Sequence, residues 1–184
     1  MSIFELLLTA CALAADAFAV AMTNGLCVKH KRLRATVMGA VIFGLFQGLM
    51  PTIGYGLGMN FARYIERYDH WVALILLGFI GLNMICGAGK GDGVADIQVL
   101  TFGAVLVQGF ATSVDALAVG VSFAALDVNI VYAAAFICAV TALIAFGGFV
   151  IGHKFSGRLG SKAQIVGGVA LIMIGFKIFA QHVF

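Results

Sequence analysis

The feature that most constrains this 184-residue chain is a succession of unbroken apolar runs, near residues 3–28, 35–59, 71–89, 99–126, 129–152 and 163–183. A helix rises about 1.5 Å per residue, so each run is long enough to cross the roughly 30 Å of hydrocarbon in a bilayer. The strands of a membrane barrel alternate polar and apolar residues, and these runs do not. Composition agrees with helices in lipid: 62% of residues are hydrophobic, 10% are charged and the mean hydropathy is +1.10. With 24 glycines and one proline, the chain suits helices that approach closely through small side chains. We therefore expect an all-α integral membrane protein of six transmembrane helices. No connection is long enough to fold as a separate soluble domain.

The opening stretch MSIFELLLTACALAADAFAV has no basic leader and is expected to be a retained first span rather than a cleaved signal. Cys11, Cys27, Cys86 and Cys138 show no C-x-x-C spacing and are expected to be buried, reduced thiols. Basic residues are unevenly placed. Lys29, Lys31, Arg32, Arg34, Lys90, Lys154, Arg158 and Lys162 lie in the first, third and fifth connections, against Arg63, Arg67 and Lys177 on the opposite side. Positive charge is held on the cytoplasmic side of a membrane, so both termini are expected outside. At a membrane boundary these charges face membrane lipids and cytoplasm, and nucleic acid is not an expected partner.

One motif occurs twice. DAFAVAMT at 16–23 aligns with DALAVGVS at 115–122, identical at four of eight positions. Each copy opens a group of three spans. Because three is odd, the second group enters the membrane from the opposite side, as in inverted-topology transporters. The expected organisation is a three-helix repeat over 1–89, a cytoplasmic linker over 90–98 and a second, inverted three-helix repeat over 99–184.

Asp16 and Asp115 fall near the middle of their spans, where an ionised Asp costs roughly 2.5–3.5 kcal/mol. No Lys or Arg is expected at comparable depth, so a bound cation is the simplest partner that two facing carboxylates could share. At about 3.6 residues per turn, Ala12, Asp16, Ala19 and Thr23 share one face of the first helix, and Thr112, Asp115, Ala118 and Ser122 share one face of the fourth. Thr23, Thr112 and Ser122 offer neutral hydroxyl oxygens. In FGLFQGLMPTIGYGLG, residues 43–58, Pro51 has no N–H for the carbonyl of Gln47. A kink is expected there, either exposing Gln47 oxygens as ligands or serving packing alone. Asn24 and Asn83 are further intramembrane amides that rank below the aspartates, since interhelical hydrogen bonding accounts for them equally well. Carboxylates with neutral oxygens suit a hard or borderline divalent ion such as Mn²⁺ or Mg²⁺. Met22 and Met50 are expected to pack. No nucleotide-binding loop is present, so the drive would come from an ion gradient, the membrane potential or the substrate gradient.

Through DAFAVA, FGLFQGLMPTIGYGLG, HW at 70–71, TSVDALAVGVSFA, the DVNI turn and GGVALIMIGFKI, the sequence resembles the small bacterial manganese efflux pumps of the MntP family along essentially its whole length. The resemblance implies a multi-pass exporter of the bacterial cytoplasmic (inner) membrane that relieves Mn²⁺ excess, with Asp16 and Asp115 as essential acidic positions. It implies Glu or Gln at position 47, and in the third helix a basic residue and then a Glu where this chain has Asn83 and Cys86. That departure bears on metal preference or drive. The expected activity is secondary transport with Mn²⁺ as substrate, no cofactor, no catalysis, and protons as counter-ion. Alternatives are export of another small solute or cation, an intramembrane hydrolase with paired aspartates, and a structural subunit.

The charge asymmetry makes a topological prediction. In a cysteine-free background, single cysteines in the 60–69 loop are expected to react with an impermeant reagent added outside intact cells, and a cysteine at position 31 is not. Strong labelling at position 31 would reverse the orientation.

Overall fold

The structure is a computed structural model that describes residues 2–27, 33–58, 69–87, 102–126, 128–159 and 163–183. The connections over 28–32, 59–68 and 160–162, Asp127, and the expected 90–98 linker lie outside the described residues. Seven helices are described: α1 (Ile3–Cys27), α2 (Leu33–Leu57), α3 (Asp69–Gly87), α4 (Phe102–Ala111), α5 (Val114–Ala125), α6 (Ile130–Leu159) and α7 (Ala163–Val183). Three of them, α1, α2 and α6, are each long and apolar enough to cross a membrane, and α4 with α5, bent by 44° at their junction, are so together when counted as one span. The shorter α3 and α7, of 19 and 21 residues, lie where the third and sixth apolar runs were read.

Local chemistry sets several helix ends. The chain enters α1 through a reciprocal cap: Ser2 N donates to Glu5 Oε2 at 2.8 Å, and Glu5 N donates to Ser2 Oγ at 3.2 Å. Asn129 opens α6 by accepting from Tyr132 N at 3.2 Å. The break between α4 and α5 was not anticipated. A kink was expected at Pro51, which lies inside α2, and α2 is continuous as a helix through it. At Thr112–Ser113 the backbone ladder instead tightens, with Ser113 N donating to Phe110 O and Ala116 N to Ser113 O, each at 3.2 Å. Both hydroxyls also turn back onto α4: Thr112 Oγ1 donates to Gln108 O at 2.9 Å and Ser113 Oγ to Gly109 O at 2.7 Å. Adjacent side chains that compete for helix carbonyls in this way weaken the regular ladder.

The centre of the assembly is α6, which lies against α1 and α2; α2 also carries α5, and α3 pairs with α7. Between lipid-embedded helices there is little hydrophobic drive, so close van der Waals packing carries the association. Glycine makes that approach possible. A Cβ on Gly148 of α6 would stand 2.7 Å from Phe18 O of α1, while Gly54 of α2 faces the carbonyl of Leu117 on α5. The sequence step from Phe18 to Leu117 is the step from Asp16 to Asp115. Gly44 and Gly48 of α2 run antiparallel to α6, set against Cys138 O at 2.7 Å and Ala134 O at 2.8 Å by the same measure. Gly81 of α3 and Gly168 of α7 are reciprocal, each with a would-be Cβ 2.6 Å from the other's carbonyl oxygen.

Apolar side chains divide between lipid and core. Along α2, Val41, Leu45, Leu49 and Ile53 form an exposed stripe at helical spacing, while Phe43, Gln47, Met50 and Pro51 are buried. One buried cluster gathers Val20, Phe43, Leu77, Val105, Phe149 and Leu171, with the rings of Phe43 and Phe149 stacked at 6.1 Å. A second gathers Leu6, Leu13, Met50, Phe123 and Ile137. Cys11, Cys27 and Cys138 stand as thiols, Cys11 exposed and Cys27 buried.

The reciprocal glycine seam yields a prediction. Gly81→Ala or Gly168→Ala drives a methyl into backbone and is expected to cost about 1–3 kcal/mol, as overpacking does. Gly78 of the same helix has open space around its would-be Cβ. Gly78→Ala is expected to be neutral or stabilising by about 0.5–1 kcal/mol, since Ala is the better helix former. Thermal unfolding of the three variants in detergent reads the difference.

Candidate functional site

Lipid-embedded helices ordinarily bury apolar side chains, so the buried polar ones mark the centre. Among the described residues they are Thr23 and Asn24 on α1, Gln47 on α2, Gln108 on α4, Thr112 and Ser113 at the break, and Thr141 on α6. The aspartates adjoin this set and are partly open. Asp115 lies in the first turn of α5, where its Oδ1 accepts from Ala116 N at 2.8 Å. Asp16 has its side chain 21% exposed, and Lys177 Nζ of α7 stands 3.8 Å from its Oδ1. The expectation that no basic residue reaches the depth of the aspartates is therefore corrected. Position near the end of α7 was a poor guide to depth, because α7 packs beside α1 and a lysine stem carries its ammonium well away from its own Cα. The contact is long, and the Lys177 side chain is 58% exposed, so this ion pair is a weak and displaceable one.

The two small-residue faces are graded in burial. On α1, Ala12 is exposed, Asp16 and Ala19 are intermediate and Thr23 is buried; from the break into α5, Thr112 is buried, Asp115 and Ala118 are intermediate and Ser122 is exposed. Gly148 against Phe18 and Gly25 against His153 set α1 parallel to α6, while Gly109 against Phe43 and Phe46 and Gly54 against Leu117 set α2 parallel to the α4–α5 pair. With α2 antiparallel to α6, α1 and α5 run in opposite directions. The more exposed ends of both aspartate faces consequently lie toward the same end of the molecule. At the other end, Asn24 Nδ2 donates to Gln108 Oε1 at 2.6 Å and Gln108 Nε2 donates to Asn24 Oδ1 at 3.3 Å, closing a fully buried amide pair.

The expected ligands thus separate. Asn24 is engaged with Gln108, a residue that sequence reasoning passed over although it is the one amide in the fourth apolar run. Ser122 is exposed and returns its hydroxyl to Ala118 O at 3.2 Å. Thr23 is buried beside Asn24 in sequence, and Thr112 caps its own preceding turn. Gln47 donates through Nε2 to Leu13 O at 3.3 Å, while its Oε1 is buried and has no hydrogen-bond partner among the described residues. Thr141 Oγ1 is the other such atom, and sequence reasoning missed it. Asn83 belongs to α3, and its side chain lies outside what is described. No group of three or more His, Cys, Asp or Glu side chains occurs among the described residues. A hollow of about 320 Å³ between Leu33, Thr36, Phe149, Val150, His153 and Lys154 contains none of these candidates.

Buried polar side chains enclosed by apolar, lipid-length helices, with two partly buried carboxylates beside them, define a multi-pass membrane protein. The sequence profile of the family described as "Putative manganese efflux pump" matches residues 29–179. A protein of Ruminiclostridium cellulolyticum named as a manganese efflux pump is 46% identical over all of this chain and 98% of its own length. Similarly named proteins of Acetivibrio thermocellus and Mannheimia succiniciproducens are 45% and 41% identical, each over 99% of this chain and 92% and 98% of their own lengths. No solved structure matches the chain. The chain belongs to the MntP family of manganese efflux pumps, whose members are named as transporters rather than enzymes.

The amide pair is testable without a transport assay. Truncating Asn24 or Gln108 to Ala strands the partner amide, so each single variant is expected to be destabilised. The double variant is expected to lose less than the sum, with a coupling of about 0.6–1.7 kcal/mol, the span measured for hydrogen bonds between membrane helices. Additive losses in unfolding measurements would mean the pair does not hold the helices together.

Proposed function

We propose that the protein exports Mn²⁺ from the cytoplasm as a secondary transporter, with Asp16 and Asp115 holding the ion between two inverted three-helix halves. The observation that carries this reading is the arrangement of the aspartate faces. They lie on oppositely directed helices, are lined by small residues, are more exposed toward one end, and are most buried toward the other, where the Asn24–Gln108 pair lies. With both termini outside a bacterial inner membrane, as the basic connections argue, the more exposed end is external and the amide pair is the cytoplasmic closure. Export then requires the pair to part and the outer ends of α1 and α5 to close, which is alternating access between the halves.

The relatives' names point to manganese, and a site of carboxylate and neutral oxygens favours a hard or borderline divalent ion over one that prefers thiolates. Two carboxylates in place of a larger acidic cluster suit transport, because a carrier must bind tightly enough to load and weakly enough to release. Metal and protons compete for the same carboxylate oxygens, and the Lys177 ammonium is a third competitor at Asp16. If the emptied site returns protonated, protons move inward as Mn²⁺ moves outward.

The test uses purified protein in liposomes holding a pH-sensitive dye, with membrane potential clamped. Mn²⁺ flux is expected to drive opposing proton flux, and Asp16→Asn and Asp115→Asn are each expected to lower both at least tenfold at matched protein level. Either variant transporting normally would remove that aspartate from the site. Metal flux without proton flux would leave the aspartates in place and reject the coupling.

A further inference from the structure

Thr141 belongs to none of the motifs that carry the resemblance, yet its hydroxyl oxygen is one of two buried side-chain polar atoms without a partner among the described residues; the other is Gln47 Oε1. Both residues are 0% exposed. A buried, unsatisfied polar atom costs about 1–3 kcal/mol. A helical threonine normally avoids that cost by bonding backward. Thr9 donates to Glu5 O at 2.9 Å, Thr52 to Gly48 O at 3.0 Å and Thr112 to Gln108 O at 2.9 Å. Thr141 makes no such bond.

Placement relates the two orphans. On α6, Thr141, Ala145, Gly148 and Gly152 form one buried stripe, and its glycines meet the Phe18 and Met22 carbonyls of α1. With Gly148 set against Phe18 and Gly25 against His153 in this parallel pair, Thr141 falls level with the Cys11–Leu13 turn of α1. On α2, Phe43 and Phe46 meet Gly109 of α4 and Gly54 meets Leu117 of α5, so Gln47, between them, falls near the Thr112–Ser113 break. It also reaches Leu13 O. The sequence step from Gln47 to Thr141 is the step from Gly54 to Gly148, and the step from Leu13 to Thr112 is the step from Asp16 to Asp115. The orphaned oxygens therefore occupy equivalent positions in the two halves, each about one helical turn from the aspartate level.

We infer that Thr141 Oγ1 and Gln47 Oε1 are a matched pair of neutral oxygen ligands for the transported divalent cation. This inference rests on the transport reading above. Two carboxylates neutralise the charge of the ion, and the amide and hydroxyl oxygens add hard donors without adding charge. Their lack of partners among the described residues is what a bound cation would relieve.

The experiment uses the full chain in lipid nanodiscs with Mn²⁺ alone as the probe, free ion being followed by its electron paramagnetic resonance signal. Thr141→Val keeps the shape and removes the oxygen, and is expected to weaken Mn²⁺ binding about tenfold or more. Thr141→Ser is expected to stay within about threefold of the wild type. Thermal unfolding of metal-free protein provides the readout that a structural role would not share. Thr141→Val is expected to be as stable as the wild type or more so, because it deletes an unsatisfied group. Wild-type affinity in Thr141→Val, with binding lost in Asp16→Asn, would overturn the inference and leave the transport reading standing. Lowered metal-free stability in Thr141→Val, not restored by Ser, would make Thr141 a packing residue and overturn it too. Unchanged binding in Asp16→Asn would remove the transport reading and the inference with it.

Discussion

Hydrocarbon gives a polar group nothing to bond with, and a charge or unpaired amide left there costs several kcal/mol. That single constraint organises the protein. Most of the chain answers it by being apolar, and the polar groups that remain are gathered inside: Asn24 with Gln108, Gln47 with the Leu13 carbonyl, Thr112 and Ser113 with the turn before them. Asp16 and Asp115 are the costly exceptions. They sit where burial is incomplete, with Lys177 beside one and a backbone N–H on the other.

Lipid also removes the force that would hold soluble helices together. The seams of this fold are made of glycine set against carbonyl oxygen, at Gly81 with Gly168, Gly148 with Phe18 and Gly44 with Cys138. Contacts that close leave no slack for a side chain but need no specific side-chain lock. Such seams allow one helix group to shift against another while remaining packed. The polar amide pair differs in kind, since it is directional and either made or broken. Under the proposed alternating-access reading, both kinds of contact have a use.

Much of the fold was legible because its cause is one-dimensional. Apolar runs of bilayer length place the helices, S-x-x-E places the first cap, and the DAFAVAMT and DALAVGVS words place both aspartates on small-residue faces. The break between α4 and α5 was not legible: the chain's one proline lies inside α2, which continues through it, whereas the adjacent hydroxyls of Thr112 and Ser113 accompany the break. Lys177 misled because depth was judged from Cα position while a lysine delivers its charge several atoms away.

The sequence by itself determined an all-helical membrane protein, the family, and the two acidic positions at its centre, because hydropathy and local motif are properties of neighbouring residues. Only the tertiary structure decided which polar groups find partners. It joined Asn24 to Gln108 across 84 residues of chain, brought Lys177 to Asp16, turned Ser122 outward, and left Gln47 Oε1 and Thr141 Oγ1 unpaired in the core. Hydrogen bonding acts over about 3 Å whatever the separation in sequence, so partners are chosen by the packing of helices and not by the order of residues.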